Sequence, residues 1–223
     1  MGKSTGNLEE ISEKISSRFA LITEYRDEIL KIQRELIRCA SLSIRALHRG
    51  EFDRAYEILK SADGVIEEKR PVFDLCPELY FSGYFLDAQK ELAEAHIAYA
   101  LITGNPLPDP DDLKIEYSAY VNGMGEAIGE IRRYILDKMR SDSFENGEAF
   151  LDMMEELYCL LISLDYPDAI TRGLRRTADI ARSIIEKTRG DLTQNISQKR
   201  LARKLDGMAL SDRQNSRFSG ADD

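Results

Sequence analysis

Residues 7–48 read NLEEISEKISSRFALITEYRDEILKIQRELIRCASLSIRALH, from Asn7 to His48, and this stretch decides the fold. Ile11, Ile15, Phe19, Ile22, Ile29, Leu36, Ala40 and Leu47 recur at spacings of three, four or seven, which lines one face of an α-helix. Asn7 with Glu10 three residues later has the form of an N-cap and its box partner. Arg49-Gly50 supplies the stop. One helix of about 40 residues is therefore predicted, about 60 Å long. A compact monomer of this size needs less, so part of the helix is expected to pack against another subunit.

Outward from that helix the pattern stays helical. A second helix is predicted from Phe52 to Lys69, with Phe52, Ala55, Tyr56, Leu59 and Ala62 inward and Pro71 as its end. A third runs from Pro77 to Ile102 on Phe81, Phe85, Ala88, Leu92, Ala95, Tyr99 and Ile102. The prolines of 104–110 break the chain. A fourth spans Asp112 to Arg140, burying Tyr117, Tyr120, Met124, Ile128, Ile131 and Ile135. Helices from Glu145 to Ser163 and from Asp168 to Arg189 complete the body, and Lys199 to Leu205 forms a short basic helix. The fold class is all-α: a single-domain antiparallel bundle of six to seven helices with a very long first helix, occupying 1–210. Residues 211–223 read as a disordered polar tail.

The 223 residues suit one domain with a substantial core. Charge interrupts every apolar run well short of a membrane span, and the N-terminus lacks the apolar stretch of a secretory signal. Cys39, Cys76 and Cys159 are odd in number and widely spaced, which reads as buried free thiols in a reducing compartment, hence a cytoplasmic protein. A net charge of −9 argues against a generic nucleic-acid coat, but not against a local basic track.

Two carboxylate pairs carry the chemistry. Glu91-x-x-Glu94 lies in Gln89-Lys90-Glu91-Leu92-Ala93-Glu94-Ala95-His96, and Glu126-x-x-x-Glu130 lies in Gly123-Met124-Gly125-Glu126-Ala127-Ile128-Gly129-Glu130. Each spacing places both acids on one helix face. Brought together, the faces would make a four-carboxylate cluster that repels itself unless a hard cation such as Mg²⁺ or Mn²⁺ neutralises it. The bland alternative is a solvated face. Among 40 acidic residues such pairs arise by chance, as Glu145-x-x-Glu148 and Asp152-x-x-Glu155 show. What separates the first two is their setting beside apolar stripes and small residues. Gly123, Gly125 and Gly129 each cost about 1 kcal/mol relative to Ala, so they imply close approach of a neighbouring helix, of a ligand, or of both.

The helix order, the proline-rich loop and the Gln-x-Glu-x-x-Glu segment together resemble the translin/TRAX family over roughly residues 10–190. The match is to its catalytic branch, that of translin-associated factor X, in a prokaryotic-type form. Glu91 and Glu94 match that branch's first acidic motif, with Gln89 displaced by one. Glu126-Ala127-Ile128-Gly129-Glu130 matches the second, with Glu126 in place of its aspartate. The resemblance implies a Mg²⁺-dependent endoribonuclease, a hydrolase acting on single-stranded RNA inside a hollow homo-oligomer, often an octamer. Translin itself lacks the acids and binds nucleic acid, so a non-catalytic scaffold for single-stranded RNA or DNA is the alternative. Glu91, Glu94 and Glu126 are expected as metal ligands, with Glu130 a fourth ligand or the group that orients water.

RNA needs cations nearby. Lys31, Arg34, Arg38, Arg45 and Arg49 form a basic stripe on the first helix, which binds nucleic acid or merely pairs with Glu28 and Glu35 on a solvated face. Lys90, and the cluster Arg172, Arg175 and Arg176, are further candidates. His96 reads as a packed or surface residue. A di-iron bundle would need Glu-x-x-His pairs, but Arg45 precedes His48 and Ala93 precedes His96 at that spacing. A protein-interaction adaptor is disfavoured because the hairpin-like start at Gly50 to Ala55 is not repeated.

Overall fold

The computed structural model describes residues 6–140 and 146–218. Among them lie ten helical segments and no strand: α1 (Leu8–His48), α2 (Phe52–Glu68), α3 (Arg70–Leu75), α4 (Pro77–Tyr80), α5 (Gly83–Thr103), α6 (Pro110–Leu113), α7 (Tyr117–Arg140), α8 (Gly147–Ser163), α9 (Asp168–Thr171) and α10 (Leu174–Phe218). The all-α class and the long first helix stand as the sequence has them, with α1 running 41 residues. No helix among the described residues is long and apolar enough to cross a membrane.

The centre is the α5–α7 pair. α1 lies along α5 with α2 beside it, and α8 and α10 pack on α7 from the other side. Leu36 and Leu47 of α1, Phe85, Leu92 and Ile97 of α5, Ile128, Ile131 and Ile135 of α7, and Met154 and Leu161 of α8 are fully buried between them. Burying side chains of this kind stabilises the bundle by roughly 1.5–3 kcal/mol each.

The structure departs from the sequence reading mainly where helices break. Asn7 stands at the N-cap of α1, but its side chain makes no capping bond; only its carbonyl accepts, from Ile11 N–H at 3.1 Å. Pro71 does not just end α2. It opens α3, in a first turn that needs no N–H from it. The predicted third helix is two pieces, because Ser82 is extended at the N-cap of α5 and its hydroxyl donates to the Leu79 carbonyl at 2.6 Å. Phe81 is thereby turned outward, at 54 % exposure. The predicted fourth helix breaks at Lys114, held at φ 54°, and α7 starts afresh with Glu116 accepting from Ser118 N–H at 2.6 Å. Tyr117 is exposed as a result. Phe52 and Tyr56, expected inward, are also exposed.

At the other end, Arg172 at φ 50° and Gly173 at φ 90° separate α9 from α10. α10 then continues without interruption to Phe218, absorbing the predicted basic helix and residues 211–218 of the stretch read as a tail. Positions 219–223 lie outside the described residues. A helix polar on most faces has little apolar periodicity to read, so the sequence pattern fades where the helix does not. Cys76 is buried, Cys39 partly so, and Cys159 is exposed, against the expectation of three buried thiols.

The apolar side chains of the first turns of α1 are uncovered, and partial burial against the core starts only at Leu21, Ile22 and Tyr25. Leu8, Ile11, Ile15 and Phe19 are 57 %, 43 %, 48 % and 65 % exposed, and the buried face begins only at Ile29.

Candidate metal centre

The site is a consequence of how closely α5 and α7 approach. A methyl group on Gly123 would lie 2.5 Å from the Lys90 carbonyl oxygen, 2.8 Å from the Ala93 side chain and 2.9 Å from the Glu94 backbone nitrogen. Only glycine lets the two backbones meet there. Gln89 sets the register: fully buried, it donates to the Tyr80 carbonyl at 3.3 Å and accepts from Glu116 N–H at 2.7 Å, pinning the start of α7 against α5. Glu126 lies three residues past Gly123, one turn along, and so falls beside Glu91 and Glu94.

Each of these three acids places a carboxylate oxygen within 4.8 Å of the others, all partly buried. Of the four predicted site carboxylates, the structure gathers these three. Glu94 bears the cost. Burial, and then the charges of Glu91, Glu126 and Glu130, push its carboxyl up to about 8. Glu91 is raised too, chiefly by burial, with Lys90 pulling it back. Lys90 is the cluster's counterion, its Nζ donating to Glu126 Oε1 at 2.6 Å and lying 3.7 Å from Glu91. Burial alone would lower the Lys90 ammonium, but its hydrogen bond to Glu126 and the surrounding carboxylates outweigh that and raise it. One ammonium among three acids leaves net negative charge. An all-oxygen donor set in that state suits a hard divalent cation.

The fourth acid is held differently. Glu130 Oε2 takes a hydrogen bond from His48 Nε2 at 2.5 Å, with Arg133 3.7 Å away. A carboxylate cannot donate, so Nε2 carries the proton. The His48 side chain is 4 % exposed, and its Nδ1 is buried without a partner. The sequence reading set His48 aside because it lacked a ligand motif; its partner lies 82 positions away, beyond any local pattern. His96 turns away from the acids to Asp63, at 2.9 Å.

The glycine question resolves toward packing. Gly123 admits α5, while at Gly125 a methyl would lie 2.3 Å from Thr177 Cγ2 of α10. Gly129 meets nothing closer than 3.8 Å. On α1, Lys31, Arg34, Arg38, Arg45 and Arg49 are all exposed. None pairs with Glu28, which binds Lys69 at 3.0 Å instead. Arg34 and Arg45 rest on carbonyls of their own helix.

Beside the acids, Lys90 and Glu126 form one edge of an open groove of about 550 Å³, with Arg172 and Arg176 on its rim. Arg175 lines a different cavity and faces Asp165 at 3.8 Å.

Fold and site together define an all-α bundle with an acidic seam between two central helices. No protein-family model matches the chain. Among solved structures it is similar to AfC3PO, with 32 % identity over 83 % of this chain and 97 % of that one and a TM-score of 0.77. It is likewise similar to AfC3PO in complex with duplex RNA, with 33 % identity, 86 % and 97 % coverage and a TM-score of 0.75. Apo-NeC3PO, at 20 % identity and TM-score 0.72 over 87 % of this chain and all of that one, shares the fold. An uncharacterised protein of Methanocaldococcus jannaschii is 33 % identical over 181 residues, 81 % of this chain and 80 % of the relative. The chain belongs to the translin/TRAX family, with the C3PO proteins.

Proposed function

We propose that this chain is a Mg²⁺-dependent endoribonuclease that cleaves single-stranded RNA, with Mn²⁺ able to substitute, inside a cytoplasmic homo-oligomer. The observation that carries the reading is the convergence of Glu91, Glu94 and Glu126 oxygens within 4.8 Å of one another, partly out of water. The structure of a similar protein with duplex RNA supports RNA as the ligand.

Glu91, Glu94 and Glu126 would hold the cation. When bound, it supplies charge neutralisation at the phosphorus and acidifies water. Glu130, steadied by His48, orients the attacking water or completes the ligand set. The exposed cations of α1, with Arg34, Arg38 and Arg45 foremost, steer the RNA backbone toward an otherwise negative protein, as does Lys90. The uncovered apolar end of α1, from Leu8 to Phe19, fits burial against a second copy; an octameric shell is the assembly we favour.

A second reading has one specific observation behind it. Lys90 already bridges two of the three acids, so a non-catalytic RNA-binding scaffold could keep that ammonium as its permanent counterion. Incubating labelled single-stranded RNA with the protein in Mg²⁺ or in EDTA separates the two. Cleavage in Mg²⁺ alone supports the nuclease, and tight binding with intact RNA in both conditions supports the scaffold.

A further inference from the structure

We infer that the groove rimmed by Lys90, Arg172 and Arg176 is a phosphate clamp, seating the RNA phosphodiester next to the one at the carboxylates. This rests on the ribonuclease reading above and adds the residues that place the strand.

The groove is contiguous with the acids, since Lys90 and Glu126 belong to both. Its far rim carries two guanidinium groups, Arg172 at the end of α9 and Arg176 in the first turn of α10, on either side of the turn at Gly173. Both are exposed, and neither has a hydrogen-bond or ion-pair partner among the described residues. Arg182 and Arg189, further along α10, are by contrast engaged, with Glu186 at 3.2 Å and Glu155 at 2.5 Å. In a chain of net charge −9, two unneutralised cations on one lip are a local reversal of field, and such a reversal attracts an anion.

The lip is rigid. Arg172 holds a left-handed conformation that residues other than glycine, asparagine and aspartate seldom adopt. Its N–H donates to the Asp168 carbonyl at 2.7 Å, and Gly173 N–H donates to Asp168 Oδ1 at 2.9 Å. Underneath, Asn122 donates to the Thr171 carbonyl at 2.8 Å and accepts from Thr177 Oγ1 at 2.7 Å. Gly125 admits Thr177 to that position, so the glycines that bring α5 to α7 and α10 to α7 also build the groove. Asn122 is 6 % exposed and committed to these bonds; it fixes the lip and leaves recognition to the arginines.

The lining chemistry selects backbone over base. Among the described residues no aromatic side chain lines the groove for a base to stack upon, and Asp87 on the α5 rim turns an anion toward the α10 side. Arg172 and Arg176 together offer planar forks suited to phosphate oxygens. Contacts of that kind position a strand without reading its sequence.

The test is anisotropy of a fluorescein-labelled single-stranded RNA in EDTA at several salt concentrations. The proteins are wild type, Arg176→Gln, Arg172→Asn/Arg176→Gln and Arg175→Gln, with thermal midpoints compared. Asparagine is chosen at 172 because it tolerates the left-handed backbone. The double variant is expected to bind about tenfold more weakly and to lose about 1.4 from the slope of log affinity against log salt, at about 0.7 per phosphate contact. Arg176→Gln should lose about half of that, and Arg175→Gln should track wild type. A double variant that binds as wild type does, or an Arg175→Gln that falls as far as Arg176→Gln, overturns the clamp while leaving the nuclease reading intact. Wild type that neither binds nor cleaves RNA overturns both.

Discussion

Two segments carry carboxylates three residues apart on helical faces, and the structure treats them oppositely. On α5, Glu91 and Glu94 are drawn into a partly buried cluster with Glu126. On α8, Asp152 is exposed and Glu155 pairs with Arg189 at the surface. Spacing is the same; the facing helix differs. α7 presents Gly123 to α5 and so lets a third acid come close, whereas α8 keeps its acids in water. A carboxylate pair becomes a candidate site when a glycine-bearing neighbour removes its solvent.

The sharpest way to break the comparison is to neutralise one acid of each pair. Glu91→Gln or Glu94→Gln is expected to cut RNA cleavage in Mg²⁺ at least a hundredfold with the oligomer intact, because loss of a crowded charge relieves repulsion. Size-exclusion and a cleavage time course read both. Retained cleavage, or an unfolded protein, removes these residues from the site.

Next in size is the seam itself. Gly123→Ala drives a methyl into the Lys90 carbonyl and should cost roughly 3 kcal/mol. Gly129→Ala, with open contact at 3.8 Å, should instead stabilise by about 0.5–1 kcal/mol through helix propensity. Urea midpoints for the two variants should move in opposite directions. Equal effects would mean that the glycines act through propensity and not through approach.

The Glu94 carboxyl gives a pH signature. Its value in the folded protein, about 8, lies above the ordinary 4.5, so the native state keeps a proton that the unfolded chain has lost between those limits. Metal-free stability should therefore fall as pH rises from about 4.5 to 8 and level off above. The slope cannot exceed about 1.4 kcal/mol per pH unit for one proton. Melting curves in EDTA across that window should show this decline, and Glu94→Gln should flatten it. Asp152→Asn and Glu155→Gln, smallest of all, should leave both slope and stability within about 0.5 kcal/mol of wild type.

Much of this was legible in the chain. The apolar repeat of α1 fixed the helical class, and the acid spacings marked Glu91, Glu94 and Glu126 before any contact was known. The breaks at Lys114 and Arg172 were not legible, because a left-handed conformation at a charged residue has almost no local signal. Nor was the fate of Glu130. It depends on His48, which packing alone brings across from α1. Gln89 entered as part of a motif, and its buried bonds to Tyr80 and Glu116 show it aligning two helices instead. Nothing in the sequence distinguished Arg175 from Arg172 and Arg176; the roughly 100° step between neighbours on α10 separates Arg175 from Arg176, and the turn at Gly173 brings Arg172 to the same groove as Arg176.

Titrating Mn²⁺ into wild type, Glu94→Gln and Glu155→Gln by calorimetry tests the central claim most directly. A saturable site in wild type and in Glu155→Gln, weakened at least tenfold in Glu94→Gln, is the predicted result. Equal binding by all three proteins, or none by wild type, would contradict it.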